Sequence, residues 1–169
     1  MRLIGGALAL AGLICGLLAI LAILNREDQR AKLAQEIQYD DFAWSAVAVR
    51  KAQVIETVRA GGVFYIVTVK VANHAKRVSY RFRPSEILLL DDRGGEHRIA
   101  AAGQHEWKQT DKSLTEGDED IPAGSHCVRD LVFDLPADTK SAVMRVSTGG
   151  PVGDVLDLVF WGDKQIALD

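Results

Sequence analysis

The chain has 169 residues, which is long enough for one folded domain and a short appendage. Its formal net charge of −3 argues against nucleic acid as a partner, because surfaces that bind nucleic acid are rich in Lys and Arg. Its two cysteines exclude a disulfide framework, since Cys15 lies in an apolar N-terminal run and Cys127 lies far from it in the remainder. We expect Cys127 to be a buried free thiol.

The appendage is the apolar run Leu3–Leu24, in which 22 residues carry no charge. As a helix this run would span ~33 Å, which matches the hydrocarbon core of a bilayer. The alternative is a cleaved signal peptide, which has an apolar core of only ~7–15 residues followed by a small-residue cleavage site. Because the run is longer and ends in Ala22-Ile23-Leu24-Asn25, we predict an uncleaved single-pass anchor over residues 1–25.

The anchor also suggests a location and a self-contact. Arg26, Arg30 and Lys32 follow the anchor, so the positive-inside rule does not favour an inside amino terminus. A short tail before a β-rich domain is nevertheless the usual layout of an exported protein, so we expect the inner (cytoplasmic) membrane with the domain periplasmic or extracellular. Gly12 and Gly16 would allow close packing of two anchors as a weak homodimer, and the alternative is an ordinary lipid-facing helix.

Residues 26–39 are polar and compatible with a helix, so they are predicted as a helical linker. The domain is predicted over 40–169. Its first strand is Phe42–Val49, with Trp44 in the core, and Val54–Val58 continues it after a break.

The longest β-type run is Gly61–Asn73, and it is predicted as the central strand. Side chains alternate along a strand, so one face is apolar throughout and the other is mixed. A slip of one residue would turn the whole apolar face to water, which fixes the register of pairing. The apolar face consists of Val63, Tyr65, Val67, Val69 and Val71.

Further short strands follow, separated by turn signals rich in Gly, Pro, Asn and Asp. On the strand His126–Leu135, the side chains of Cys127, Leu131 and Phe133 share one face. With seven or eight strands and no helical period after the linker, the pattern predicts an all-β, immunoglobulin-like antiparallel β-sandwich behind one transmembrane helix. The remaining predicted segments are strands at Arg77–Phe82, Glu86–Leu90, Glu96–Ala100, Ala142–Val146 and Val155–Trp161, a hairpin turn at Asp91–Gly95 and a long polar loop at Ala102–Pro122.

Four segments after the anchor and spacer resemble a known family. They are the strand Val63–Asn73 that ends in Asn, the hairpin Ile87–Glu96, the Pro-Gly turn Ile121–Ser125, and Leu131–Pro136 with its Val-Phe-acid-apolar-Pro order. Together they resemble bacterial membrane- or lipid-anchored domains of unknown function with a telokin-like, immunoglobulin-like fold. The resemblance implies an envelope or secreted protein that binds other macromolecules, and it implies no catalytic residues. The chain departs from the family because it has no lipid-acceptor cysteine.

Two stretches are candidate partner contacts. Lys76, Arg77, Arg81 and Arg83 form a basic strand face, which is either solvated or a contact for anionic headgroups or an acidic partner. The segment His105-Glu106-Trp107 lies in the long loop, where binding residues are often found. Its indole either folds back on the core or anchors a partner.

Metal binding has two weak candidates. Asp111, Glu116, Asp118, Glu119 and Asp120 could ligate calcium, but they lack the regular spacing of a calcium loop, so a solvated loop is the favoured interpretation. The second candidate is a transition-metal site, whose ligands would have to converge from separate segments, and the spacing does not indicate that they do. Neighbouring His126 and Cys127 point to opposite faces of their strand. The residues of that second candidate are His97, His105, His126 and Cys127. We therefore expect no metal and no cofactor.

Catalytic motifs are missing from the sequence. It contains neither a Gly-x-Ser-x-Gly element nor a phosphate-binding loop, so an enzyme is not expected. The favoured hypothesis is a non-enzymatic, membrane-anchored envelope protein whose domain mediates protein–protein interaction, as an accessory subunit of a membrane complex. The alternative is an extracytoplasmic sensor domain for a small ligand or a metal.

Overall fold

The structure is a computed structural model that describes residues 29–110, 117–147 and 164–169. These ranges contain eleven strands, one α-helix and a 3-10 turn at Pro84–Glu86. The strands are β1 Gln29–Ala31, β2 Ile37–Tyr39, β3 Phe42–Ile55, β4 Val58–Asn73, β5 Tyr80–Phe82, β6 Ile87–Asp91, β7 Glu96–His97, β8 Glu119–Ile121, β9 His126–Leu135, β10 Ala142–Val146 and β11 Lys164–Ala167, and the helix is α1 Ala101–Thr110.

Two main sheets face each other across one core. One sheet has the order β1-β11-β10-β6-β7 and the other has the order β2-β3-β4-β9, while β5 and β8 pair as a small third sheet. Buried side chains from both main sheets, such as Met144 and Leu89 on one and Tyr65 and Phe133 on the other, form a single cluster. The predicted β-sandwich is confirmed, and its strand pairs are antiparallel except that β1 runs parallel to β11.

The predicted central strand lies at the centre of its sheet. β4 pairs with β3 on one side and with β9 on the other, and both ladders are antiparallel. Its predicted apolar face is buried, and Val67, Val69 and Val71 are 0 % exposed. β9 and β10 have the predicted bounds, and Cys127 is a buried free cysteine as expected. β3 continues without a break to Ile55, where the chain reverses, so the segment Val54–Val58 forms the hairpin between β3 and β4.

Helix α1 covers the other face of the same sheet. Phe64, Ile66 and Val132 are buried there in a second cluster, against which Trp107 packs. The helix approaches closely because Gly103 has no side chain: a Cβ at this position would lie 3.0 Å from the Phe64 ring and 3.0 Å from Val132. One end of the four-stranded sheet is therefore covered on both faces.

The helical linker expected over 26–39 is wrong for residues 29–39, which form β1 and β2. Ile37 is 3 % exposed and belongs to the core, and β1 pairs with β11. The two strands are only three residues long each, and backbone pairing does not require an apolar pattern. The polar composition of this segment therefore gave no signal for them.

Two further expectations are corrected. The long loop Ala102–Pro122 contains α1 at its start and β8 near its end, so the expectation of no helix after the linker was wrong. The predicted strand Arg77–Phe82 is formed only over Tyr80–Phe82. The chain bends at Lys76 and Arg77, and Val78 is 63 % exposed.

Other predictions fall outside the described residues. These are the anchor Leu3–Leu24 with Gly12 and Gly16, the strand Val155–Trp161, and Asp111 and Glu116 of the acidic loop. Among the helical residues that the structure does describe, none belongs to a helix with the length and apolarity needed to span a bilayer.

Candidate functional site

A cavity of about 450 Å³ lies where the first half of α1, the middle of β9 and the 3-10 turn come together. We call it the β9 cavity. Its walls are partly apolar, with contributions from Pro84, Ile99 and Leu131. Its polar lining includes His105, Asp118, Arg129 and Asp130. Pockets that combine apolar walls with a few polar groups are typical of binding sites.

Arg129 is the buried charge of this cavity. It lies on the inward face of β9, in register with Val69 of β4, and its side chain is only 10 % exposed. One of its terminal nitrogens, Nη2, donates to the Glu119 carboxylate on β8. Its Nε is buried and has no hydrogen-bond partner among the residues that the structure describes. A buried N–H group without an acceptor is unusual in a folded protein and requires an explanation.

Asp118 stands at the edge of the cavity with two arginines around it. Arg81 donates to its carboxylate at 3.2 Å, and the Nε of Arg83 lies 3.9 Å from the same oxygen. Both arginines were predicted as partner contacts, and the fold brings them to the β9 cavity through this carboxylate. Arg77 is exposed in the bend before β5, and it forms no ion pair with another residue of the described ranges. The continuous basic strand face is therefore not formed.

Helix α1 supplies the other predicted contact residues. His105 lines the cavity and is exposed, while Glu106 is half-buried. Trp107 folds back on the sheet, which was one of the two alternatives for its indole. Its Nε1 donates to Asp130 at 3.0 Å, and the Arg50 guanidinium lies 4.7 Å from its ring centroid.

Asp130 joins the helix to the sheet. Its carboxylate accepts hydrogen bonds from Thr68 Oγ1 at 2.6 Å, from Trp107 Nε1 and from Arg50. Its backbone oxygen accepts from the side-chain amide of Gln104 at 3.0 Å. Asp130 is 13 % exposed at its side chain and is fully engaged, so it serves to position α1 beside the cavity.

The described members of the two weak metal candidates are not brought together. Within the described ranges, no three His, Cys, Asp or Glu side chains form a group that could hold a metal ion. His97 bonds Asp91 at 2.9 Å inside the β6–β7 hairpin, whereas His105 lies on α1. Asp118 and Glu119 each face arginines rather than one another.

The buried thiol is poorly suited to nucleophilic chemistry. Burial, with a smaller contribution from Glu119, raises the pKa of Cys127 to about 11. The thiol is therefore protonated at neutral pH, and the thiolate is the reactive form. The cavity brings together charged and apolar groups that suit binding.

Sequence reasoning missed Arg129 as a site residue, although the sequence carried a signal for it. The predicted inward face of His126–Leu135 contains Cys127, Leu131 and Phe133, and the alternation places Arg129 on that same face. A charged side chain at an inward position is costly unless it is paired, so it marks a position that requires a partner.

The fold resembles solved β-rich proteins at low sequence identity. The yjhA protein from Bacillus subtilis matches with a TM-score of 0.56 and 13% identity, over 82% of this chain and 99% of that chain. The secreted protein MPT63 from Mycobacterium tuberculosis matches with a TM-score of 0.56 and 15% identity, over 86% of this chain and 99% of that chain. A putative lipoprotein, ycdA, from Bacillus subtilis also has a TM-score of 0.56, with 14% identity, over 79% of this chain and 38% of that chain.

No curated protein matches the chain. A family model described as a domain of unknown function, DUF4352, matches residues 31–154, which is most of the chain. This agrees with the resemblance to domains of unknown function that the strands and turns indicated. The chain therefore belongs to the DUF4352 family of β-sandwich domains of unknown function.

Proposed function

We propose that this protein is a non-enzymatic, membrane-anchored envelope domain that binds a partner protein through the surface around the β9 cavity. The observation that carries the proposal is the convergence of two separate sequence segments. His105 on α1 lines the cavity, and Arg81 and Arg83, from the segment before it, hold Asp118 at the same cavity. A rigid sandwich with charged and apolar groups at one place is a suitable scaffold for recognition.

The location outside the cytoplasm is supported by the apolar run Leu3–Leu24. It is also in keeping with two structural neighbours, of which one is described as secreted and the other as a putative lipoprotein. A reporter enzyme fused after Asp169 should be active only outside the cytoplasmic membrane. Activity confined to the cytoplasm would reverse the proposed orientation.

The contact surface that we propose consists of exposed or half-buried polar side chains on α1 and in the segment 77–83. It includes His105 and Glu106 on α1, Arg81 and Arg83 beside Asp118, and Arg77 in the preceding bend. Trp107 lies beneath this surface, because its indole donates a hydrogen bond to Asp130 and stacks against the Arg50 guanidinium. An acidic segment of the partner would complement the arginines.

In-cell photo-crosslinking of the full-length protein tests this surface. A photo-reactive residue placed at Arg81 or at His105 should capture the same stoichiometric partner, identified by mass spectrometry. A matched control probe at Lys140, in the exposed connection between β9 and β10, should not capture it. Recovery of the protein without a partner from both test positions would overturn the proposal.

We also propose a weak homodimer through the anchor, because Gly12 and Gly16 would let two helices approach closely. Gly12→Leu combined with Gly16→Leu should abolish crosslinked dimers, while Leu17→Ala serves as a control within the same run. Dimers that persist in the double variant would exclude this contact.

A second candidate function is ligand binding by an extracytoplasmic sensor domain. The specific observation in its favour is the β9 cavity itself, with a buried arginine in its wall. A ligand that binds only the folded state raises the free energy of unfolding by mass action. The partner-binding and ligand-binding functions can therefore be separated by experiment.

A further inference from the structure

We propose that the β9 cavity binds a small organic molecule bearing a carboxylate, which accepts a hydrogen bond from Nε of Arg129. This inference rests on the second function proposed above, ligand binding, and names the chemical class of the ligand. It is carried by the hydrogen bonding of Arg129, by the pairing of the other charges at the cavity and by the character of its walls.

The first argument concerns the unmet donor. Arg129 is buried and lines the cavity, and its interaction with Glu119 uses Nη2. Among the described residues that line the cavity, Arg129 is the one with a buried side-chain polar atom that lacks a hydrogen-bond partner, and that atom is Nε. A guanidinium has no acceptor, so the missing group must be an acceptor. Carboxylates are the organic acceptors that best match its planar geometry.

The second argument concerns the charges that a ligand would meet. Among the described residues that line the cavity, two carry carboxylates, Asp118 and Asp130, and each already has a cationic partner. Asp118 is paired with Arg81 and Arg83, while Asp130 is paired with Arg50 and also accepts hydrogen bonds from neutral donors. A cationic ligand would have to compete with these arginines, whereas an acceptor placed at Arg129 displaces none of them.

The third argument concerns the rest of the ligand. A volume of about 450 Å³ suits a small organic molecule rather than a bare inorganic ion. The side chains of Pro84, Ile99 and Leu131 offer apolar walls to its body. We therefore expect an acid with a compact apolar body, such as an aromatic or branched aliphatic acid, and its carboxylate lies at Arg129.

Benzoate and benzamide form a matched pair of probes, because they share the ring and most of their shape while only benzoate carries a charge. The full-length protein in lipid nanodiscs would be titrated with each by isothermal calorimetry. Benzoate should bind at least tenfold more tightly than benzamide. In ¹⁵N-resolved NMR spectra, benzoate should shift the Arg129 Nε–H signal and the side-chain amide signal of Gln104.

Variants locate the contact. Arg129→Lys keeps the positive charge and removes the guanidinium, and it should weaken benzoate binding at least tenfold while leaving benzamide binding unchanged. Arg145→Lys is the matched control, since Arg145 pairs with Glu96 on the other sheet, and it should leave benzoate binding unchanged. The comparison of the two probes on the unmodified protein remains decisive if Arg129→Lys does not fold.

The outcomes separate this inference from the function on which it rests. Equal affinity for both probes, with NMR shifts at the cavity, would overturn the carboxylate inference and leave ligand binding standing. If neither benzoate nor benzamide binds, the carboxylate inference is overturned for compact aromatic acids. Thermal shifts with neutral compounds would then decide whether the cavity binds ligands at all. Benzoate shifts confined to residues away from the cavity would also overturn the inference.

Discussion

Asn73 is the last residue of β4, and its side chain holds the turn that follows. It is 1 % exposed, and its Nδ2 donates to the backbone oxygens of Val78 at 2.8 Å and Ile121 at 3.0 Å. Its Oδ1 accepts from the backbone nitrogen of Ala75 at 3.0 Å. One amide therefore joins the end of β4, the bend before β5 and the end of β8. This explains in physical terms why a strand that ends in Asn is a feature of the fold.

Asn73→Asp should destabilise the protein, because the carboxylate has the same shape but donates no hydrogen bond. The buried backbone oxygen of Ile121 and the partly buried one of Val78 would lose their donor and face a negative charge, at a cost of about 2–3 kcal/mol. Urea titration measures this as a lower midpoint with an unchanged slope. Gln53→Glu, at an exposed position of β3, makes the same chemical change and should have little effect. Equal midpoints for the two variants would contradict the role assigned to Asn73.

Glu86 is a buried carboxylate next to the hydroxyl of the partly buried Tyr80. The Tyr80 hydroxyl donates to it at 2.5 Å, and Arg83 lies 3.7 Å away. Burial raises the pKa of Glu86 above its usual value, although the hydrogen bond from Tyr80 and the nearby Arg83 oppose the increase. Burial and Glu86 also raise the pKa of Tyr80, so its hydroxyl stays protonated and remains a donor.

The raised pKa of Glu86 gives stability a defined dependence on pH. The folded state holds the Glu86 proton more tightly than the unfolded state, so the associated stability is complete below the unfolded pKa of about 4.3. It is lost as the pH rises from that value through the raised pKa. Glu86→Gln cannot titrate, so the free energy of unfolding of the wild type should fall relative to that of the variant across this window.

Urea midpoints measured between pH 4 and pH 8 test this dependence for the wild type and for Glu86→Gln. Glu96→Gln, which neutralises a more exposed carboxylate paired with Arg145, is the control. Its urea midpoint should follow that of the wild type with pH and should not show the altered pH dependence expected of Glu86→Gln. Parallel wild-type and Glu86→Gln profiles would show that the Glu86 carboxyl does not titrate differently on folding.

At the scale of elements, α1 protects an edge of the sandwich. β9 is the last strand of its sheet. Gln104 of α1 forms hydrogen bonds to the outer edge of β9 through both the nitrogen and the oxygen of its side-chain amide. The Gln104 Nε2 donates to the Asp130 backbone oxygen at 3.0 Å, and its Oε1 accepts from the Val132 backbone nitrogen at 2.8 Å. The side chain therefore takes the place of a peptide group of a neighbouring strand. The part of the edge between Asp130 and Val132 that is covered in this way cannot pair with another chain.

Gln104→Glu should loosen the helix from this edge. The variant loses its donor to Asp130 and brings a carboxylate toward a backbone oxygen, which we expect to cost about 1–3 kcal/mol. Hydrogen exchange of the Val132 amide is the local measurement, and it should become faster. Gln109→Glu on the exposed side of the same helix is the matched control. Unchanged protection of Val132 in Gln104→Glu would contradict the edge-protecting role of α1.

The same helix shows which elements were predictable from sequence. β9 and β10 were predicted with their bounds because every second side chain along each strand is buried and, except for Arg129 on β9, apolar. The side of α1 that faces the sheet instead presents Gly103, Gln104 and Trp107, so it shows no apolar stripe. Gly103 packs through the absence of a side chain and Gln104 through its amide, so neither contributes to a repeat of apolar side chains every ~3.6 residues. For this reason the segment was interpreted as a loop.

The candidate site was predictable only in parts. His105, Arg81 and Arg83 were selected from their chemistry, but their common location depends on the β5–β8 pairing and on the docking of α1. Neither contact leaves a local pattern in the sequence. Arg129 differs because its inward position follows from strand alternation alone, although its pairing with Glu119 does not.

At the scale of the whole molecule, the two ends of the described chain meet in one sheet. β11 lies between β1 and β10, parallel to the first and antiparallel to the second. Ile166 at its centre is 0 % exposed and belongs to the core that both main sheets share. The last strand is therefore part of the common core, and its loss should affect the opposite sheet as well.

Ile166→Ala should destabilise the entire sandwich by about 2–5 kcal/mol, and Ile166→Val by about 0.5–1.5 kcal/mol, because each step removes buried carbon atoms and leaves a cavity. Native-state hydrogen exchange distinguishes a global effect from a local one. If the sandwich unfolds as one cooperative unit, the slowest amides of β4 should lose protection by the same free energy as those of β10. Faster exchange confined to β1, β10 and β11 would show instead that the five-stranded sheet opens by itself. In that case the walls of the β9 cavity that β9 and α1 contribute, which do not belong to that sheet, would stay folded when β11 is lost.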